Sequence, residues 1–463
     1  MIWKFVILQI AICIFSQKEH QTGLATVYVR QNWGFMNDGS TVKKAISSLK
    51  VANEKLDQHS NCEFAIKIVK DTSLFTADAV TFNKAQKITI EGVNSDGNGN
   101  TEVAIDCDVH PGSDLFTCEG TVEFKYLALH FPTTLRKEKE KFEYYSLING
   151  EGEWLSIKNT KFMRPSRAEN KVEIALVEAH GGIVIMDTVE CTSETENVMF
   201  KRYPFFFSSI AVFLSNLTFT KIETNANSVM CAWYYKYENI DVMVNRSTFS
   251  ECKADLYGAL YVHSFFKKST FSIGDGGATT FSSCSSNYKS GSGGLYLQMY
   301  NIESANQIKW PSDGKNLIFK NCTAGEGESK RNIGLYIYGL NQNLFEELSC
   351  SMKRSFAANY TQEDNSWFIA GFDSISFKEF DFIAQFLEHS PKTKTENSTE
   401  KGSESKIEQS KSNLQEGHDV SEKKIEEDVY SFKMKKEQEQ SKIEGMTFNS
   451  TNPILGESEG KQE

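Results

Sequence analysis

The chain has 463 residues, a formal charge of −11 from 50 basic and 61 acidic side chains, and 10 cysteines. An acidic balance without a basic stripe excludes a nucleic-acid binder, because neutralising phosphates takes a surface of Lys and Arg. So few cysteines in so long a chain exclude a disulfide-scaffolded fold and leave the core to apolar packing.

The first residues, "MIWKFVILQIAICIFSQKEH", place one Lys before an apolar run from Phe5 to Phe15 and then turn polar. This is the layout of a secretory signal peptide, here residues 1–16, and the run is too short to span a hydrocarbon core of ~30 Å. Secretion, to the extracellular space or the cell surface, is the expectation. Removing Cys13 leaves nine cysteines, an odd number, so at least one thiol stays unpaired or pairs with another molecule. No Cys-x-x-Cys and no Cys/His cluster has zinc spacing, and neither a metal nor a cofactor is expected. Asn-X-Ser/Thr sequons begin at Asn216, Asn245, Asn321, Asn359, Asn397 and Asn449. Together with the signal peptide they point to a glycoprotein surface.

"ATVYVRQ" (Ala25 to Gln31) alternates apolar and polar residues as a half-buried strand does. "NDGSTVKKAISSLKVANEKL" follows, with Ser40 or Thr41 as N-cap and Val42, Ala45, Ile46, Leu49 and Leu56 on one face, predicting a helix over about 40–57. Beyond it lie short β-rich runs such as "FAIKIVKD", "KITIEGV", "TVEFKYLALHF" and "WLSIKNTKFM". With 33 Phe, 17 Tyr and only 7 Pro, the body is read as nearly all β. Units opening at Gly120, Gly152 and Gly181 each run from a Gly turn through a strand and a bend to a second strand, at spacings of 32 and 29. "YPFFFSSIAVFLSNLTFT" (Tyr203 to Thr220) approaches spanning length, but its Pro, Ser, Asn and Thr content favours two buried strands around a Ser-Ser bend. No transmembrane anchor is evident.

A repeat then becomes explicit. Phe249-Ser-Glu-Cys252 leads to Gly258-Ala-Leu-Tyr261, Phe281-Ser-Ser-Cys284 to Gly294-Leu-Tyr296, and Phe319-Lys-Asn-Cys322 to Gly334-Leu-Tyr336; a degenerate copy starts at Phe219. The Phe-to-Phe spacings of 30, 32 and 38 drift while the elements persist, as in a coiled β-solenoid whose strands stack at about 4.8 Å while its loops vary. In such a stack the Phe of each unit forms an inward ladder. The repeat cysteines lie near enough for a disulfide or a buried thiol ladder, and the thiol ladder is favoured. If Leu260, Leu295 and Leu335 point inward, alternation sends Tyr261, Tyr296 and Tyr336 outward as a surface column. An ordinary surface ladder outweighs a binding column, yet these tyrosines are the first place to look for a ligand such as a sugar ring. From 389 the composition turns to Lys, Glu, Ser and Gln with few aromatics, predicting a disordered charged tail over 389–463.

The strand "ATVYVRQ", the helix "STVKKAISSLKVA", the strands "FAIKIVKD" and "KITIEG" and the Phe-x-x-Cys and Gly-Leu-Tyr units resemble the right-handed parallel β-helix, or pectin lyase-like, superfamily over about residues 24 to 388. Within it the repeats more closely resemble the non-enzymatic secreted or surface β-helix proteins of protists. They are more distantly similar to the repeats of bacterial polymorphic outer-membrane proteins, from which they depart in having Cys252, Cys284 and Cys322 where those carry Asn. The resemblance implies a right-handed β-helix of around ten rungs whose N-terminal helix caps the open end.

Enzymes of this fold use Ca²⁺-binding acids with an Arg base, or separated carboxylates for hydrolysis. The nearest motif here, Ala179-His180-Gly181-Gly182, lacks the family's first residue, and His180 is read as a turn residue. "SDGNGN" and "IGDGGATTF" are read as turns rather than a Ca²⁺ loop or a phosphate nest. Asp187, Glu190, Glu251 and Asp255 are the carboxylates able to pair across rungs, and are read as solvated edge residues. No catalytic residue is assigned. The sequence therefore predicts a non-catalytic protein that binds a polysaccharide, a cell-surface glycan or a protein along its flank, in adhesion or in a coat. The alternative is a diverged polysaccharide lyase or glycoside hydrolase.

Overall fold

The structure is a computed structural model. It describes residues 25–31, 37–56, 63–71, 75–83, 87–107, 113–131, 145–164, 171–192 apart from 173, 198–233, 240–311 apart from 290, 316–340 apart from 328, 329 and 331, and short pieces between 343 and 381, 312–315 lying outside. The signal segment 1–16, the tail 389–463, Asn359, Asn397 and Asn449 lie outside the described residues.

The described chain is all β, built on long stacks of parallel strands with one α-helix. The strands form sheets of 17, 11 and 6 members. From Ile183 onward the chain visits them in a fixed order. In one pass Ala211–Ser215 and Thr218–Thr220 lie in the first sheet, Ile222–Thr224 in the third and Met230–Trp233 in the second. Each strand pairs in parallel with its counterpart one pass later, as Phe219 does with Phe249 and Phe249 with Phe281. An antiparallel pair joins Ile369 and Ala370 to Asp381 and Phe380 at the last strands.

The bends have a backbone cause. Non-glycine residues with positive φ recur between the two first-sheet strands of successive passes, at Tyr126, Asn159, Thr188, Asn216 and Arg246. A second series sits two residues after each ladder Phe, at Lys221, Glu251, Ser283 and Asn321. A single left-handed residue swings the chain onto the next strand, a conformation that costs L-residues energy outside Asn and Gly. Only Asn159, Asn216 and Asn321 among them are of a type that favours this conformation, so composition alone does not reveal the series.

The Phe ladder is internal, as expected. Rings of Phe219 and Phe249 stack at 5.4 Å, Phe249 and Phe281 at 4.9 Å, and Phe281 and Phe319 at 5.1 Å, with interplanar angles of 22°, 6° and 12°. Each fully buried Phe contributes about 1.5–3 kcal/mol by leaving water, and each ring pair about 0.5–1.5 more. Beside them Cys252, Cys284 and Cys322 are buried thiols. Their S–H groups donate to the carbonyls of Phe219, Phe249 and Phe281 at 3.7, 3.3 and 3.4 Å. The ladder is of thiols, and burial pushes those of Cys284 and Cys322 well up.

The predicted N-terminal helix is shorter than expected. Val42–Lys44 is a single 3₁₀ turn, and the α-helix, α1, spans only Leu49–Leu56. Ser40 caps nothing: its N–H and hydroxyl both donate to Asp38. Ile46 is claimed by the sheet, donating its N–H to Tyr28 O at 2.9 Å and accepting from Arg30 N at 2.8 Å. Tertiary pairing thereby overrides helical periodicity across 45–48. The working cap is Ser48, whose Oγ accepts from Val51 N at 3.2 Å. Leu49, Ala52 and Leu56 of α1 still reach the core. Between Tyr203 and Thr220 run the strands Phe205–Ser208, Ala211–Ser215 and Thr218–Thr220, with the bend at Ser209. Among the described residues no helix is long and apolar enough to cross a membrane.

Candidate functional site

The outward face of the second sheet changes character along its length. One row, fixed by register, runs Thr81, Thr117, Asn149, Glu178, Phe206, Cys231, Tyr261, Tyr296 and Tyr336. It is polar for four strands and then aromatic, apart from Cys231. Two residues further along the strands a second row places Ser208, Trp233, His263, Gln298 and Tyr338 side by side, the last four in direct register.

Tyr261, Tyr296 and Tyr336 do face away from Leu260, Leu295 and Leu335, as alternation requires, but they are not a surface column. They are only 3%, 7% and 3% exposed and form a separate cluster with Cys231, Tyr257 and Tyr338. Tyr261 and Tyr296 are covered by Tyr257, from the pass of Tyr261. Gly258 adopts φ +71°, where an added Cβ would strike the backbone of Ser292 and Gly293, and this turn folds Tyr257 over the row. Its ring lies 4.3 Å from Tyr261 and 4.2 Å from Tyr296, and Tyr296 stacks on Tyr336 at 4.8 Å and 5°. Burial pushes the phenols of Tyr261 and Tyr296 well up, so they stay protonated.

A hydrogen-bond chain crosses the rows. Tyr261 Oη donates to Gln298 Oε1 at 2.6 Å, and Gln298 Nε2 donates to Tyr300 Oη at 2.6 Å. Since the single Tyr261 proton is committed to Gln298, the 2.8 Å contact with His263 Nδ1 is a donation from Nδ1–H to the phenol. His263 is then a neutral imidazole with its lone pair on Nε2. Burial holds it neutral, lowering its pKa to about 3. Nε2 is buried and has no hydrogen-bond partner among the described residues, and the same is true of Trp233 Nε1 on the adjoining ring, stacked 5.4 Å away at 26°. At the rim Phe265, 38% exposed, lies flat on Tyr300 at 5.0 Å and 6° and 4.4 Å from His263.

Sequence reasoning missed this second row. The signal was present in the repeat alignment, where Tyr261, Tyr296 and Tyr336 are each followed two residues later by a polar or aromatic group, His263, Gln298 and Tyr338. None of these makes a motif by itself.

The other sequence-predicted groups do not gather into a site. His180 ends a strand, with Nε2 2.8 Å from Glu178 Oε1. Asp187 accepts from Asn216 Nδ2 at 2.7 Å, Glu190 lies 3.7 Å from Lys161, and Asp255 accepts from Asn287 at 3.2 Å. Glu251 occupies a left-handed bend. The "SDGNGN" stretch is a turn in which Asn94 Oδ1 accepts from Asn98 and Gly99, and Asp275 of "IGDGG" accepts from Ser272. Among the described residues no group of three or more His, Cys, Asp and Glu has metal-holding geometry. Of the described sequons, Asn321 is exposed, Asn216 is tied to Asp187, and Asn245 Oδ1 accepts from Gly276 N at 3.2 Å.

No family model, curated protein or solved structure matches the chain.

Proposed function

We propose that the chain is a right-handed parallel β-helix of the pectin lyase-like kind, secreted or held at the cell surface, and that it works by binding rather than by turnover. The ligand is a glycan or a protein engaged along the flank, in adhesion or in a coat. The observation that supports binding most is the exposed Phe265 ring, packed flat on Tyr300 just beyond the strand that carries Tyr261 and His263. Packing against Tyr300 and His263 restrains that ring, so little side-chain entropy is lost when a ligand settles on it. The long stacks of parallel strands also give an extended surface that can meet a repeating polymer at several points.

The test is a glycan array probed with the purified full chain, alongside incubation with a panel of acidic polysaccharides. Binding without release of unsaturated products or reducing ends is the expected outcome. Sustained turnover would replace this reading with that of a lyase or hydrolase.

A further inference from the structure

We propose that Trp233, His263 and Phe265 form a subsite for one uncharged sugar ring, with the exposed Phe265 face as its platform and His263 Nε2 as the acceptor that reads a hydroxyl. The inference rests on the binding function proposed above and names where, and with what chemistry, one ligand unit is held.

Three independent features converge. Phe265 is an exposed large apolar side chain, and its position on Tyr300 leaves a face suited to the C–H face of a pyranose. Beside it, at 4.4 Å, His263, 3% exposed, carries an acceptor with no donor among the described residues, and the adjoining Trp233 carries a donor with no acceptor among them. A buried polar atom left unpaired costs about 1–3 kcal/mol, a penalty removed when a partner arrives. A sugar hydroxyl both donates and accepts, so it complements a bare imidazole nitrogen and an indole N–H together. The relay His263, Tyr261, Gln298, Tyr300 fixes the polarity: with Nδ1–H spent on Tyr261, Nε2 only accepts. Among the described residues, the rings and hydrogen-bonding groups in contact with His263 are Tyr261, Trp233, Phe265 and Tyr300, none of them a carboxylate. Neutral hydroxyls therefore match the site better than cationic ligands.

The experiment is saturation-transfer NMR on the full chain with maltotetraose, cellotetraose, mannotetraose and trigalacturonate as probes, repeated on Phe265→Ala, Trp233→Phe and His263→Phe. Binding of at least one neutral probe is expected, weakened about tenfold in Phe265→Ala and in each ring variant, the equivalent of about 1.4 kcal/mol. Phe265→Ala removes an exposed ring and keeps the test valid should a buried variant fold poorly. Neutral-probe binding undiminished in all three variants would refute the subsite while leaving flank binding intact. Absence of neutral-probe binding to the wild-type chain would overturn it as well. Binding of trigalacturonate alone would refute the uncharged class.

Discussion

Acidification is expected to destabilise the fold through His263 by an amount that can be worked out. Its folded pKa is lowered to about 3 by burial, whereas an unfolded histidine titrates near pH ~6.5. Between those values the unfolded chain binds a proton that the folded chain refuses, so stability rises with pH across the window and falls as the pH drops through it. The limiting slope is about 1.4 kcal/mol per pH unit, and integrating from pH ~7 to pH ~5 gives a loss of about 2 kcal/mol from this residue alone. That is a sizeable part of the ~5–15 kcal/mol available to a domain. A protonated ring has little compensation here: Nε2–H would have no acceptor among the described residues and Nδ1–H is already used. Chemical denaturation of wild type and His263→Gln at both pH values separates this residue from the chain's other titrating groups, because only the difference between the two proteins is read. A wild-type midpoint that falls with acid by no more than that of His263→Gln would refute the buried, neutral assignment.

Phe281→Ala should lower stability by about 3–5 kcal/mol at little change in denaturant m-value, because it leaves a cavity between two stacked rings, whereas Phe265→Ala at the rim should cost less, about 0.5–1.5, chiefly its stacking on Tyr300. Cys252, Cys284 and Cys322 should resist maleimide under native conditions and react on denaturation; rapid native labelling at these positions, located by peptide mass mapping, would contradict the buried thiol ladder. Tyr257→Ala should uncover the tyrosine row, raising the exposure of Tyr261 and Tyr296 to iodination relative to wild type; unchanged labelling would mean that another segment provides the cover. In a secreting eukaryotic host a glycan is expected on Asn321, which is exposed, ahead of Asn216, whose amide is held by Asp187; a secreted chain bare at Asn321 would count against the glycoprotein surface.

The inner half of the repeat was legible because a ladder repeats its residue. Phe219, Phe249, Phe281 and Phe319 meet one another in the fold, so each environment demands the same side chain and the identity recurs along the chain. Alternation likewise assigned Tyr261, Tyr296 and Tyr336 to the face opposite the leucines. What alternation cannot contain is whether that face is covered, since the cover is Tyr257, supplied by a turn whose geometry depends on Gly258 packing against the next pass. The N-terminal helix failed for a related reason. Its 3.6-residue pattern is real over Leu49 to Leu56, but upstream the same apolar residues also satisfy a bridge between Val29 and Ile46.

The polar row was illegible for a deeper reason. Its members contact one another across passes, with His263 and Gln298 separated by 35 positions in sequence and adjacent in register. A ladder of like residues needs like neighbours, whereas a hydrogen-bond chain needs complementary ones: an imidazole donor, a phenol relay and an amide that accepts and donates. Complementarity therefore breaks the repeat at the positions where it forms, and Trp233, His263, Gln298 and Tyr338 share a row without sharing a residue type. In a fold of stacked, near-identical passes, departures from the repeat on an otherwise aromatic face mark where a row has been given over to polar chemistry. His263 is where that chemistry ends in an unfilled acceptor.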